Sequence, residues 1–190
     1  MNSHKQVLTL TMTALLIAVG TVIPLFMPKV IIGPMSFTLA SHVAIMIALF
    51  LSPAVAVAVA LGTTLGFFLA GFPFVVVMRA LTHVIWAYLG SSYAQKHPDM
   101  FKSSKKTWLF NFAIALIHAV GEMIIVIPFY YAGMDIQTFL YMIVGLVGIG
   151  TMVHSSVDFF ITTVVWKVLA KNPTIAKIAN VKTVYLLKNA

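Results

Sequence analysis

The 190-residue chain contains no cysteine, so disulfide bridges and thiolate metal sites are excluded. Charge is also scarce: only 8% of the residues are Asp, Glu, Lys or Arg, and just 4 of these are acidic. A soluble domain carries about a quarter charged residues, and this chain falls far short of covering itself in water. Signatures of nucleotide and acyl chemistry are missing too. There is no P-loop, dinucleotide fingerprint or nucleophile elbow, and the pair Gly62 and Gly66 lies inside an apolar run where no phosphate loop forms. What is present is apolar: 61% of the residues, with a mean hydropathy of +1.04. Such a chain has lipid as its solvent. At about 20 residues per crossing, its length is filled by six spans and short connections. No room is left for a soluble catalytic or ATP-binding domain, so any energy-driven activity needs a partner. The expected fold is an all-α polytopic membrane protein forming one domain over residues 1–190.

The first span is expected at about residues 5–24, read as a retained helix because no small-residue cleavage site accompanies it. Pro28, Gly33 and Pro34 make residues 25–37 a loop. A short second span follows at 38–51. Ser52-Pro53 reads as an N-cap with proline at the first helical position, opening the third span at 54–70. Gly71-Phe72-Pro73 turns the chain into the fourth, 74–94, and a polar lysine-bearing segment leads to the fifth, 108–131. Gly145, Gly148 and Gly150 divide the remaining apolar stretch into an outer loop and a sixth span at 149–170. The tail, 171–190, is expected to be cytoplasmic or interfacial.

The basic residues orient these spans. Lys5 precedes the first, Lys96, Lys102, Lys105 and Lys106 lie between the fourth and fifth, and Lys167, Lys171, Lys177, Lys182 and Lys188 sit at or beyond the end of the sixth. With six crossings all ten share one side, and cytoplasmic loops are the basic ones. Both termini are therefore expected inside, with Lys29 and Arg79 toward the outside. The net charge of +8 is read as a topology determinant that can also touch anionic lipid, with no nucleic-acid partner.

Small residues pattern two spans. Ala14 and Ala18 stand four apart on the first, and Ala54, Ala56, Ala58 and Ala60 lead into Gly62 and Gly66 on the third. This spacing lets helices approach closely in lipid, either within the protein or against a partner subunit.

Polar side chains inside spans are costly and mark function. The last three spans each carry an i,i+4 pair, which puts both members on one helix face: Arg79 with His83, His118 with Glu122, and His154 with Asp158. Trp86 shares the face of Arg79, and Asn111 that of His118. The orientation above places the pairs at similar depth in the outer half, where they can line a cavity below Lys29, with Trp86 and Phe72 as stacking surfaces. Beside this stands a structural reading, in which the histidines are hydrogen-bond partners and Arg79 neutralises Glu122. No His-x-x-Glu-His spacing points to a metal, and none is expected. His42, at the head of the second span, has no role assignable from sequence.

At this point the chain resembles the substrate-binding S components of energy-coupling factor (ECF) vitamin transporters. The resemblance covers nearly the whole chain. It is carried by Ala14-x-x-x-Ala18, by Phe37-Thr-Leu-Ala-Ser-His-Val-Ala-Ile-Met-Ile-Ala, and by Ala60-Leu-Gly-Thr-Thr-Leu-Gly-Phe-Phe-Leu-Ala-Gly-Phe-Pro. The resemblance implies a bacterial plasma-membrane subunit that binds one water-soluble vitamin in an outward cavity formed by the first loop and spans four to six. It implies no enzymatic activity and no cofactor in this chain. Ala14 and Ala18 would dock onto a transmembrane coupling subunit (the T component), with ATP consumed by two cytoplasmic ATPases, and transport would proceed by toppling of the whole S component. Arg79, Lys29 and the histidines suit a carboxylate, which makes pantothenate the leading expectation and niacin the next. Glu122 and Asp158 would instead suit hydroxymethylpyrimidine or pyridoxine. The tryptophan-rich thiamin pattern is absent, and His4 after Met1-Asn-Ser does not match the N-terminal histidine of cobalt and nickel relatives. A reading of another class is a stand-alone proton-coupled carrier or channel.

Overall fold

The computed structural model describes residues 3–186, which form a helical bundle. Four helices in it are long and apolar enough to cross a membrane. They are α1 (Ser3–Phe26), α4 (Phe74–Lys96), α5 (Ser104–Tyr130) and a continuous 34-residue helix, Ile136–Leu169. The last comprises α6 (Ile136–Phe139), a π-helical segment (Leu140–Ile149) and α7 (Gly150–Leu169). Between α1 and α4 lie two shorter helices, α2 (Val43–Leu49) and α3 (Pro53–Leu69).

The expected loop at 25–37 is instead largely a β-hairpin, β1 (Lys29–Ile32) against β2 (Met35–Thr38), with Lys29 opposite Thr38 and Ile32 opposite Met35. The β-branched run Val30-Ile31-Ile32 favours the extended backbone. Gly33 takes the left-handed φ of +53° that a two-residue hairpin turn requires. The all-α expectation therefore has this one exception among the described residues.

The expected second span, 38–51, is also different. Only seven residues are helical, all of them buried, after two turns that run from Leu39 to His42. Its uniform hydrophobicity reflects burial by protein on every side. Its C-terminal carbonyl at Leu49 accepts hydrogen bonds from Ser91 Oγ (2.9 Å) and Gln95 Nε2 (2.9 Å) of α4. Helix α3 starts as expected, with Ser52 Oγ accepting from the Val55 N–H at 3.2 Å and Pro53 in the first turn.

The outer stretch before residue 149 is helical, where the sequence suggested a loop. Glycines do not break a helix where no water is available to take over its backbone hydrogen bonds. The widened π-type turns absorb the irregularity.

Helices α1 and α3 pack at close range. Gly62 faces Ile17 so tightly that an added Cβ would stand 2.5 Å from Ile17 Cδ1, and Gly66 receives Thr21 in the same way. Gly62 and Gly66 of α3 are thus spent inside the bundle. Ala14 and Ala18 point outward on α1, which buries only Leu16, Gly20 and Pro24.

At the opposite end from the hairpin, the tail is a strap. Only α8 (Pro173–Ala176) is helical, and Ile178, Ala179, Val181, Val184 and Leu186 are buried in the main core. Trp166 Nε1 donates to Val181 O (3.1 Å), Trp108 Nε1 to Leu186 O (3.0 Å), Ser104 Oγ to the same carbonyl, and Tyr185 N to Phe101 O (2.9 Å). Lys5, Lys96, Lys102, Lys105, Lys106, Lys167, Lys171, Lys177 and Lys182 are exposed, and all lie toward this tail end. Lys188 lies outside the described residues.

Candidate functional site

The hairpin end holds a partly open cavity of about 150 Å³ lined by the end of α1, both hairpin strands, the α2 entry turn, α3, α4, α5 and α7. Lys29, Arg79, His83, Glu122 and His154 line it, together with His42. Lys29 stands at the rim, its Nζ 5.4 Å from the centre of the Phe72 ring. Phe37, projecting from β2, stacks on the His154 ring at 4.7 Å, and the Arg79 guanidinium lies 5.6 Å over the same phenyl ring. The hairpin therefore forms one wall of the cavity.

Two carboxylates organise the polar groups. Glu122 on α5 accepts from Arg79 Nη2 at 2.8 Å and from Thr151 Oγ1 at 2.6 Å, both through Oε2. Its Oε1 stands 3.3 Å from His118 Nε2 and 3.8 Å from His83 Nε2. Helices α4, α5 and α7 are thus tied at one carboxylate. Asp158 on α7 is fully buried and serves the α2 entry turn. Its Oδ1 accepts from the Ala40 N–H at 2.8 Å, and its Oδ2 from the His42 N–H at 2.9 Å, with His42 Nδ1 also 2.9 Å away. These backbone donors sit ahead of a short helix and have no intrahelical acceptor, so a carboxylate of a distant span supplies one. His154 Nε2 lies 3.5 Å from Asp158 Oδ2 and 3.2 Å from Ser41 Oγ.

Beneath the cavity floor sit His118 and Trp86. The Trp86 ring centre is 5.4 Å from that of His118 and 5.7 Å from that of His83. Neither lines the cavity, and Asp158 is likewise set behind His42. Asn111 donates to Ser156 Oγ at 2.9 Å and so joins α5 to α7 away from the cavity.

Sequence reasoning missed His42, which proves central. It is buried, bonded to Asp158, and its ring lies within 5 Å of those of His83, His118 and His154. The signal was available, since an ionisable residue heading an apolar run is expensive in a membrane. What concealed it was the absence of an i,i+4 partner on its own helix.

Among known proteins, the chain is 38% identical over 174 residues to the niacin transporter NiaX of Lactococcus lactis subsp. cremoris (strain MG1363). The match covers 90% of this chain and 78% of the relative. The chain belongs to the NiaX family. No family model matches it, and no solved structure does. Membership makes this NiaX-family chain a membrane transport protein and not an enzyme, in agreement with its apolar helices.

Proposed function

We propose that this chain is the niacin-binding S component of an energy-coupling factor transporter in the bacterial plasma membrane. The observation that carries the substrate is the size of the cavity. A partly open cavity of about 150 Å³ matches a single six-membered ring, since an engineered protein cavity of about this volume holds one benzene. A pyridine ring bearing one carboxylate fits it. The longer branched chain of pantothenate would extend beyond it, and together with the relative's name this makes niacin the leading substrate in place of pantothenate. The Lys29 ammonium at the rim offers a charge partner for the carboxylate, while Phe37 and the imidazoles offer ring faces.

In this reading α2 and α3 complete six crossings with the four long helices, and the lysine-bearing tail end faces the cytoplasm. The outward Ala14 and Ala18 dock the chain onto a T component, and two ATPase subunits supply the energy.

Calorimetric titration of the purified protein tests the substrate. Nicotinate is expected to bind saturably at one site, with pantothenate silent. Pantothenate binding that competes with nicotinate would sink the size argument. Uptake of labelled niacin by cells expressing the chain without the ATPases would overturn the S-component assignment in favour of a stand-alone carrier.

A further inference from the structure

Three histidines from three different helical segments meet at the cavity floor and directly beneath it. His42 heads α2, His83 comes from α4 and His118 from α5. Their ring centres are 4.6 to 4.8 Å apart and each pair is nearly perpendicular, at 72°, 74° and 89°. One ring nitrogen of each lies within 4.8 Å of those of the other two. Packing alone does not account for this arrangement, because it strands polar atoms. His83 Nε2 and both nitrogens of His118 are buried without a hydrogen-bond partner, in residues 6% and 1% exposed. An unmet nitrogen buried in a protein interior is costly, so three at one point call for a ligand.

The surroundings indicate which ligand. With Asp158 accepting its Nδ1–H, His42 presents the lone pair of Nε2, the carboxylate–histidine arrangement that orients metal-bound imidazoles. Glu122 Oε1 stands beside His118 and His83 with no other hydrogen bond among the described residues. The buried fixed charges are one positive, Arg79, against two negative, Glu122 and Asp158, when the imidazoles are neutral. This leaves a net negative charge at the floor of a cavity that is to receive an anion. A divalent cation offsets both that charge and the anion's.

We propose that His42, His83 and His118 form a site for a divalent transition-metal ion of the zinc class, with a fourth position open to the cavity. Imidazole nitrogens suit zinc, cobalt and nickel, and a three-histidine set with an open position is a recognised tetrahedral arrangement. The site departs from the expectation of no metal drawn from sequence spacing, because its ligands come from different helices and form no linear motif. Resting on the niacin reading, the open position takes the carboxylate or the ring nitrogen of the vitamin, so that metal and vitamin bind together.

The test uses the full-length, tag-free protein in detergent, stripped with EDTA and titrated with Co²⁺ as a spectroscopic probe. One equivalent is expected to bind with the intense visible bands of tetrahedral cobalt. Binding should weaken at least tenfold in His83→Gln and in His118→Gln, and be unchanged in His97→Gln, an exposed histidine at the other end. If a glutamine variant fails to give a monodisperse helical protein, His83→Asn or His118→Asn replaces it. No cobalt binding by the folded wild type, or equal binding by wild type and both variants, overturns the site. Nicotinate is then titrated into stripped and Zn²⁺-loaded protein, with at least tenfold tighter binding expected when loaded. Equal affinity overturns the role in vitamin binding. Nicotinate binding without any metal binding refutes the site and leaves the niacin reading intact, whereas metal binding without nicotinate binding refutes the reading and leaves the site.

Discussion

Arg79 and Glu122 illustrate how a buried ion pair constrains what a single substitution can reveal. Both are about 95% buried and their 2.8 Å contact is shared with Thr151. Removing one charge strands the other in a low-dielectric interior, which typically costs about 3–5 kcal/mol. Arg79→Ala should therefore lower the thermal stability of the detergent-solubilised protein substantially, while the double change Arg79→Met/Glu122→Gln should cost much less. Equal losses in the two would show that the arginine is held by something other than its carboxylate. Asp158→Asn should likewise destabilise by about 1–3 kcal/mol, because one of its two acceptor oxygens becomes a donor facing donors. Circular-dichroism melting would detect this, and a wild-type midpoint would contradict the assignment. The three i,i+4 pairs were legible in the sequence because polar residues in apolar runs announce themselves. Which member would face the cavity was not. Asp158 is spent on the Ala40 and His42 amides, and that depends on a turn no periodicity encodes.

Among the elements, α1, α4 and α5 lie within about four residues of the apolar stretches in the sequence, since lipid demands uninterrupted apolar runs, whereas the last long helix begins at Ile136 and not near residue 149. The misses share one cause. Proline and glycine in the sequence mark loops at residues 25–37 and before residue 149, yet the first segment is largely a hairpin and the second a π-type helix. Turn residues say that the chain changes direction, and glycines say that something is close. Neither says what the backbone does between them. The α1–α3 contact is the sharpest case of close approach. Gly62→Val should force Ile17 aside and destabilise by about 1–3 kcal/mol, as overpacking typically does. A melting curve matching wild type would mean that the two helices separate without penalty.

For the molecule as a whole, α1 is the least embedded of the long helices, and its outward stripe includes Val7, Leu10, Ala14, Ala18 and Val22. On the proposed S-component reading, Ala14→Trp together with Ala18→Trp should abolish co-purification with a coupling subunit and niacin uptake while leaving nicotinate affinity within about twofold. The cavity lies at the hairpin end, where α1 contributes only Pro24 and neither alanine, and separated sites act largely independently. Lost nicotinate binding in that variant would place these alanines in the fold and not at an interface.

The bond between the α2 entry turn and Asp158 spans 116 residues of chain, and this has a bearing on how the protein is made. A ribosome adding about 5–20 residues per second needs on the order of ten seconds to travel from one partner to the other. Throughout that interval the amides of Ala40 and His42 lack the acceptor that later holds them. The seven-residue helix behind them is too short to be stable alone. The cavity end is therefore assembled retroactively, by the last long helix to emerge. A nascent chain arrested before residue 150 should have its first helix in the bilayer and no competent site, while release of the remaining forty residues sets the early turn in place.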